Sequence, residues 1–573
     1  MVLFQFLQNF MTGVPPELII LTEIGVMIII ATFLAFIVKM SKQPLIPAYI
    51  LTGILIGPLF LGLIKDTELI TSLSQIGVAF LIFTAGIEIK LKKLREVGKV
   101  SSIGGTIQVV TLFFLAFLVA SWLGFSGMAP TYIGLVVALS STMIVIALLA
   151  EKKEINSLHG RIIIGFLLIQ DIAAIIALAV LSSDLSMGSI AIVLGKALLF
   201  GVFAIVLSKI GNPIFRKAAD SKELLLLVSI SFLFLFTIGA SFAGLSLVIG
   251  AFFAGVALAN SDYKTEIQGN IGPLREFFAV IFFVALGMQL NLISRGFVTL
   301  FLILFGLVII VKPLLIMFLV RLFGYKKRTA FLTGNALAQT SEFSFIIVTL
   351  GFTMGHISAE LFSTLILLTI LTMSFTTYFI SYEKKLVNWL SWPLNILEGI
   401  KSKEEELEFV KGNDKEIVIF GCHRIGSLIL KEFEGHKNDV LIVDYNPQII
   451  RSLMDKKVPC IYGDYMHQEV LDKVNLKNSK IFVSTIPDFD DNISLIRKIR
   501  GENPKAVIII VAERISEATE LYTQGADYVI LPKFISGEKA SDVIRKAKKG
   551  RGEISRLKNV HKKYLNSVHR LLW

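Results

Sequence analysis

Over the first two-thirds of the chain, apolar residues neither alternate nor recur at the spacing of a surface helix. They run on. Residues 17–382 are almost continuous apolar stretches separated by short polar loops, whereas 401–573 mixes polar and apolar residues as a soluble domain does. About twenty consecutive apolar residues cross the hydrocarbon core as a helix. On that basis thirteen spans are expected, at 17–38, 45–64, 70–89, 101–123, 130–150, 162–181, 188–208, 223–240, 244–260, 274–290, 297–320, 329–350 and 359–381. The pattern predicts a polytopic α-helical membrane protein followed by a globular domain. The expected limits are 1–385 for the transmembrane domain, 386–414 for an interfacial linker, 415–540 for the globular domain and 541–573 for a basic tail.

Loop charge orients these spans. After odd-numbered spans come Lys39 and Lys42; Lys90, Lys92, Lys93, Arg95 and Lys99; Lys152 and Lys153; Arg216 and Lys217; Lys264; Lys326, Lys327 and Arg328; and Lys384 and Lys385. Even-numbered spans are followed by little positive charge. Positive loops stay on the cytoplasmic side, so the N-terminus is expected outside and the C-terminal domain in the cytoplasm. No charged n-region or cleavage site marks a removable signal peptide.

Thirteen spans divide as six, a linker and six, which gives two oppositely oriented repeats. The fifth span of the first half contains Leu139-Ser140-Ser141-Thr142. The fifth of the second contains Gln339-Thr340-Ser341-Glu342. Polar, weakly helix-forming runs at corresponding positions predict two broken helices whose free backbone groups face a midplane cavity.

Three ionisable residues interrupt the apolar spans. Asp171 lies within 162–181 with Gln170 before it and no other charge in that span. A carboxylate in hydrocarbon is costly and marks a functional site by default. Its proton affinity is set by its surroundings, so a proton and a monovalent cation are expected to compete for it. Gln170, Ser141 and Thr142 are the candidate neutral oxygens, since oxygen ligands suit hard cations. One carboxylate exchanging one ion for one proton is electroneutral. Lys312 precedes Pro313 in an uncharged span. It is read either as snorkelling to the interface or as compensating negative charge. Glu342 is expected to bind the dipole of a broken helix.

From Glu416 the pattern changes to alternating strands and helices. Apolar, β-rich runs occur at Ile417–Phe420, Val440–Val443, Cys460–Tyr462, Ile481–Ser484, Val507–Val511 and Tyr528–Leu531. A doubly wound parallel sheet follows, a Rossmann-like α/β domain. The first strand runs into Gly421-Cys422-His423-Arg424-Ile425-Gly426, and Asp444 ends the second strand. Glycines at this turn admit phosphate to a helix N-terminus, and the acid is placed for a ribose hydroxyl. His423 stands where the fingerprint has its second glycine, so a mononucleotide (AMP, ADP or ATP) is as compatible as NAD(H).

Composition narrows the classes. The net charge is +12 with a mean hydropathy of +0.74. Most basic residues sit in short loops or in the tail 546–570, which assigns them to lipid headgroups and topology rather than nucleic acid. Trp389 and Trp392 are expected at the membrane interface. The two cysteines, Cys422 and Cys460, imply no disulfide framework.

Taken in order, several motifs carry a family resemblance. They are Ala48-Tyr49-Ile50-Leu51-Thr52-Gly53-Ile54-Leu55-Ile56-Gly57-Pro58, Phe83-Thr84-Ala85-Gly86-Ile87-Glu88, Ser140-Ser141-Thr142 and Gln170-Asp171 in the first half. Phe282-Phe283-Val284-Ala285-Leu286-Gly287-Met288 and Leu337-Ala338-Gln339-Thr340-Ser341-Glu342-Phe343 follow in the second. The chain resembles the monovalent cation:proton antiporter-2 family, Kef-type potassium/proton systems within it. The resemblance implies a sodium/proton-exchanger-like membrane fold, a plasma-membrane homodimer, elevator-like alternating access, and K+ or Na+ as the transported ion. The C-terminal domain resembles the RCK (TrkA-N) domain. That resemblance implies regulation by nucleotide, with Asp464 near the adenine, Thr485 near the phosphates, and Arg514 where Kef domains place an arginine for glutathione. The stretch Asn260-Ser261-Asp262-Tyr263-Lys264-Thr265-Glu266-Ile267 has no histidine and departs from the Kef gating loop.

The readings set against the antiporter are a sodium:proton exchanger, a potassium efflux channel gated by the same domain, and a membrane-tethered dehydrogenase. No filter sequence of the potassium-channel type occurs. About forty residues after the last expected strand are too few for a catalytic domain.

Overall fold

A computed structural model describes residues 15–41, 43–64, 67–88, 100–152, 154–155, 157–182, 187–259, 261, 263–383, 386, 408–409, 415–422, 424–433, 435–463, 465, 468–486, 488–548 and 554–562. The chain forms two compact units, a helical one up to residue 400 and an α/β one from 401 onward, apart from short segments at 156–158 and 324–326.

In the helical unit, α1 (Ile19–Met40), α2 (Ile46–Ile56) and α3 (Thr67–Glu88) come first. A π-helical turn at Val100–Gly104 leads into α4 (Gly105–Trp122), followed by α5 (Ala129–Ala138), α6 (Thr142–Glu151) and α7 (Leu158–Leu181). α8 (Met187–Ala218) then leads to α9 (Lys222–Phe242), α10 (Leu247–Ala259), α11 (Lys264–Met288) and α12 (Arg295–Gly306). A second π-helical turn at Leu307–Val311 joins α12 to α13 (Lys312–Leu322), and α14 (Lys327–Ala336), α15 (Glu342–Thr353) and α16 (Ala359–Ser381) complete the unit. Among the described residues, nine segments are long and apolar enough to cross a membrane. Four shorter apolar helices, Ile46–Ile56, Ser72–Glu88, Leu247–Ala259 and Glu342–Thr353, occupy the other four expected spans. All thirteen expected spans are therefore helical. α8 and α11 run about ten residues beyond their apolar limits, because backbone hydrogen bonding carries a helix on past the hydrocarbon.

Both predicted breaks are present. Leu139 and Ser141 are extended between α5 and α6, and Ser341 is extended before α15. Ser141 caps α6 by accepting from Ile144 N, and Ser341 caps α15 by accepting from Phe343 N.

The helices sort by packing. α3 lies against α10 and α11, and α2 lies against α11 and α1. α4 packs on α5, α13 on α14, α15 on α5, and α16 on α12, α14, α15 and α6. Within the first group, glycines set how closely helices cross. A Cβ at Gly287 would meet the Ile50 carbonyl and lie 3.0 Å from Gly53 Cα, and one at Gly255 would meet the Phe83 carbonyl and lie 2.8 Å from Gly86 Cα. The two crossings exchange under the six-plus-six repeat: second span on tenth, third span on ninth. Small residues let backbones approach where no hydrophobic effect drives helices together.

In the α/β unit the sheet order is β1-β4-β3-β2-β5-β6-β7. The strands are β1 (Glu408–Phe409), β2 (Ile417–Phe420), β3 (Val440–Asp444), β4 (Cys460–Tyr462), β5 (Ile481–Ser484), β6 (Val507–Val511) and β7 (Tyr528–Ile530). β1 runs antiparallel to β4 and all other pairs are parallel. The six expected strands are all present. β1 comes from the stretch read as linker, where a two-residue strand gives no periodic signal. The sheet reverses direction between β2 and β5, and the crevice beyond their carboxyl ends is where this architecture takes ligands. Trp389, Trp392 and residues 563–573 lie outside the described residues.

The glycine crossings give a test. Gly287→Leu should destabilise the protein by about 3 kcal/mol through overpacking against backbone that cannot move aside. Gly269→Ala, with nothing within 4 Å of the added carbon, should leave the thermal midpoint in detergent unchanged or raise it. Fluorescence-detected unfolding of both variants distinguishes the two.

Candidate functional site

The two breaks meet, and their half-helix ends are held by opposite charges. Lys312 is fully buried. Its Nζ donates to Val137 O at 3.0 Å, Leu139 O at 2.5 Å and Gln339 O at 2.6 Å, which engages all three of its hydrogens. Its ammonium therefore sits on the carbonyl ends of the breaks and does not snorkel. The π-helical turn before it and Pro313 after it, which lacks an N–H, loosen the helix at this point. At the opposite ends, Glu342 occupies the first turn of α15, and its Oε1 accepts from Met143 N, at the start of α6, at 3.3 Å. Each helix end carries roughly half a unit charge. One ammonium thus matches two carbonyl ends, and one carboxylate matches two N–H ends.

Other polar side chains complete the breaks in matching ways. Gln108 Nε2 donates to Ala138 O at 2.8 Å, and Thr376 Oγ1 donates to Ala338 O at 2.8 Å. Ser140 N donates to Gln170 Oε1 at 2.7 Å, and Thr340 N donates to Thr372 Oγ1 at 3.3 Å. The contacts made by the fourth and sixth spans on the first break thus have counterparts on the second, both made by the last span. Gln108, Thr372 and Thr376 escaped the sequence reading. The detectable signal was a lone glutamine in an apolar span and a run of threonines along 364–377, which reads equally as ordinary packing.

Asp171 lies next to this crossing. Its Oδ1 and Oδ2 each accept from Thr142 Oγ1 at 3.0 Å. Asp171 and Thr142 are partly exposed, whereas Ser140, Ser141 and Gln170 are buried. Of the expected neutral oxygens, then, the structure brings Thr142 to the carboxylate. Gln170 differs from expectation. Its oxygen holds Ser140 N and its Nε2 donates to Gln108 Oε1 at 2.6 Å, because the next residue on a helix points about 100° away. The Ser141 hydroxyl caps α6.

In the α/β unit, Gly421 adopts φ +85°, which favours glycine, and a side chain on Gly426 would strike the Gly421 carbonyl. Thr485 Oγ1 donates to Gly421 O at 3.0 Å. Asp444, expected at a ribose hydroxyl, accepts from Cys422 N and Asn446 N at 2.7 Å each and so braces the glycine loop. Ile425 lies in the first turn of α17 (Arg424–Glu432), the helix that opens on the loop. His423 and Asp464 lie outside the described residues, as do Asn260 and Asp262 of the gating stretch. Arg514 lies at the start of α18 (Ile515–Thr523), where its backbone N donates to Glu517 Oε2 at 3.2 Å.

Residues 26–381 match the family model described as sodium/hydrogen exchanger, transmembrane, well over half of the chain. The chain belongs to the sodium/hydrogen exchanger family. Residues 417–532 match the TrkA-N domain. The chain is 28% identical over 519 residues to the putative cation/proton antiporter YbaL of Escherichia coli, covering 86% of this chain and 91% of that one. It is 31% identical over 370 residues to K(+) efflux antiporter 6 of Arabidopsis thaliana, covering 62% of each. The sodium proton antiporter MjNhaP1 of Methanocaldococcus jannaschii shares the membrane fold at a TM-score of 0.50 and 16% identity, over 64% of this chain and 97% of that one. This exchanger is therefore a multi-pass cation/proton antiporter carrying a TrkA-N domain, a transporter rather than an enzyme.

Two outcomes follow from the geometry. Lys312→Met strands three buried carbonyls at about 1–3 kcal/mol each, so purified protein should show a large fall in thermal midpoint, and Lys312→Arg a smaller one. Burial, with the Asp444 and Cys460 charges adding to it, pushes the Cys422 thiol up to about 12. The thiolate is the reacting form, so alkylation of Cys422 at pH 8 should run roughly a thousandfold slower than for an ordinary exposed cysteine. Intact-mass analysis should show adducts only after denaturation.

Proposed function

We propose that this exchanger moves potassium against protons, one for one, with the two ions competing for the Asp171 carboxylate. The observation that carries the reading is the charge pattern at the crossing. Lys312 lies on the carbonyl ends and Glu342 on the N–H ends. The Asp171 carboxylate accepts from the Thr142 hydroxyl and, among the described residues, has no ion-pair partner. An intramembrane carboxylate without a fixed counter-charge takes up a proton or a cation. The relatives named K(+) efflux antiporters favour potassium.

Alternating access is the proposed mode. The breaks, Lys312 and Asp171 belong to one packing group, and the glycine-crossed helices α2, α3, α10 and α11 belong to another. Movement of the first past the second would carry Asp171 between the two sides, in a homodimer in the plasma membrane with the N-terminus outside and the TrkA-N domain cytoplasmic. Regulation is assigned to a nucleotide, AMP, ADP/ATP or NAD(H), in the crevice bounded by Gly421–Gly426, Asp444 and Thr485. The domain limits 1–385, 386–414, 415–540 and 541–573 are retained in this reading, with β1 assigned to the α/β sheet.

The test is cation-driven proton movement in proteoliposomes with the voltage clamped. Potassium should relax an imposed pH gradient with wild-type protein, and Asp171→Asn should lower the rate by about a hundredfold or more. Relaxation by sodium alone would reassign the ion. Potassium flux without proton movement, unchanged in Asp171→Asn, would make the protein channel-like and sink the proposal.

A further inference from the structure

Among the described residues, two buried side-chain oxygens that accept no hydrogen bond fall on the same break, Gln339 Oε1 and Glu342 Oε2. Gln339 is fully buried. A buried acceptor without a partner is costly and calls for a ligand or a role. The surrounding donors are already engaged. Lys312 gives its three hydrogens to backbone carbonyls, Thr142 gives its hydroxyl proton to Asp171, the Ser141 hydroxyl is engaged with the Glu342 carboxylate, and Thr340 pairs with Thr372 at 3.1 Å. The orientation of the Gln339 amide is set by its neighbour. Nε2 faces Ser141 O at 3.4 Å, and turning the amide over would set oxygen against oxygen.

The placement of these oxygens is ordered. Three consecutive residues at the start of α6 each hold one side chain of the site. Ser141 O faces Gln339, Thr142 Oγ1 holds Asp171, and Met143 N holds Glu342. Acceptors gathered without donors are what a hard cation takes in place of its hydration shell. Gln170 Oε1 already accepts from Ser140 N, whereas Gln339 Oε1 accepts nothing.

We propose that Gln339 Oε1 and Glu342 Oε2 are ligands of the transported monovalent cation beside Asp171, so that the second break sets cation affinity. The inference rests on the antiporter reading above. Glu342 Oε1 stays on the α6 N-terminus, and proton exchange stays at Asp171.

The test measures the half-saturating potassium concentration and the maximal exchange rate in proteoliposomes. It compares wild type with Gln339→Leu, Gln339→Asn and Gln339→Glu, with Asp171→Asn as control. Gln339→Leu should raise the half-saturating concentration about tenfold and leave the maximal rate within about twofold, while Gln339→Glu, whose protonated carboxyl keeps an acceptor oxygen for the ion and an O–H for Ser141 O, should restore it. Gln339→Asn withdraws the oxygen by one methylene and should give an intermediate shift, which serves if the leucine variant does not fold. Half-saturation within about twofold of wild type in a folded Gln339→Leu or Gln339→Asn would overturn the proposal, since solvent alone would then satisfy the oxygen. Loss of folding in all three variants would make Gln339 structural and also overturn it. If wild type exchanges cations and Asp171→Asn does not, only the Gln339 assignment has failed. If wild type shows no exchange, the antiporter reading falls, and this inference with it.

Discussion

Four half-helix ends meet inside the membrane unit, and their neutralisation is the constraint on which the rest depends. Unwinding two helices in hydrocarbon frees backbone groups that water cannot satisfy there. Lys312 answers the carbonyl ends and Glu342 the N–H ends. Without both, the breaks would close into ordinary helices or fill with water, and nothing would hold Thr142 against Asp171. The dipoles also explain why a full ammonium is tolerated where its exposure is zero. Three short charge-assisted bonds, each worth about 1.5–3 kcal/mol, offset much of the several kcal/mol that burying it costs.

The repeat supplies the frame and departs from itself at the two intramembrane carboxylates. Ser140 on Gln170 has its counterpart in Thr340 on Thr372, and Gln108 on Ala138 has its counterpart in Thr376 on Ala338. These contacts fix the shape of both breaks. The symmetry fails one residue further on. Asp171 follows Gln170, but Met373 follows Thr372, and Thr142 corresponds in position to Glu342. One half thus carries the acid on a continuous helix and the other carries it on the break, so both carboxylates reach the start of α6. A symmetric pair of polar scaffolds holds an asymmetric site.

The α/β unit shows a comparable division between bracing and availability. Asp444 holds the glycine loop through two backbone N–H groups, and Thr485 holds the Gly421 carbonyl. The loop at the β2–β5 reversal is therefore shaped by the protein itself. A nucleotide would meet a formed turn and a helix N-terminus.

The sequence by itself determined the thirteen spans, the two breaks and the parallel sheet, and it singled out Asp171 as a charge within an apolar span. Each of these is a local signal: uninterrupted apolar length, polar runs within it, strand-length β-branched segments, or a charge where charge is costly. What only the tertiary structure decided are pairings between distant positions. Lys312 and Leu139 are joined across 173 residues, and Met143 and Glu342 across 199. No periodicity encodes such partners. The same limit explains Gln170, which adjoins Asp171 in sequence but turns to Ser140 and Gln108. It also explains Gln339, whose free oxygen becomes visible only once every neighbouring donor is seen to be engaged elsewhere. Sequence places chemical groups on helices, whereas packing decides which of those groups already have partners.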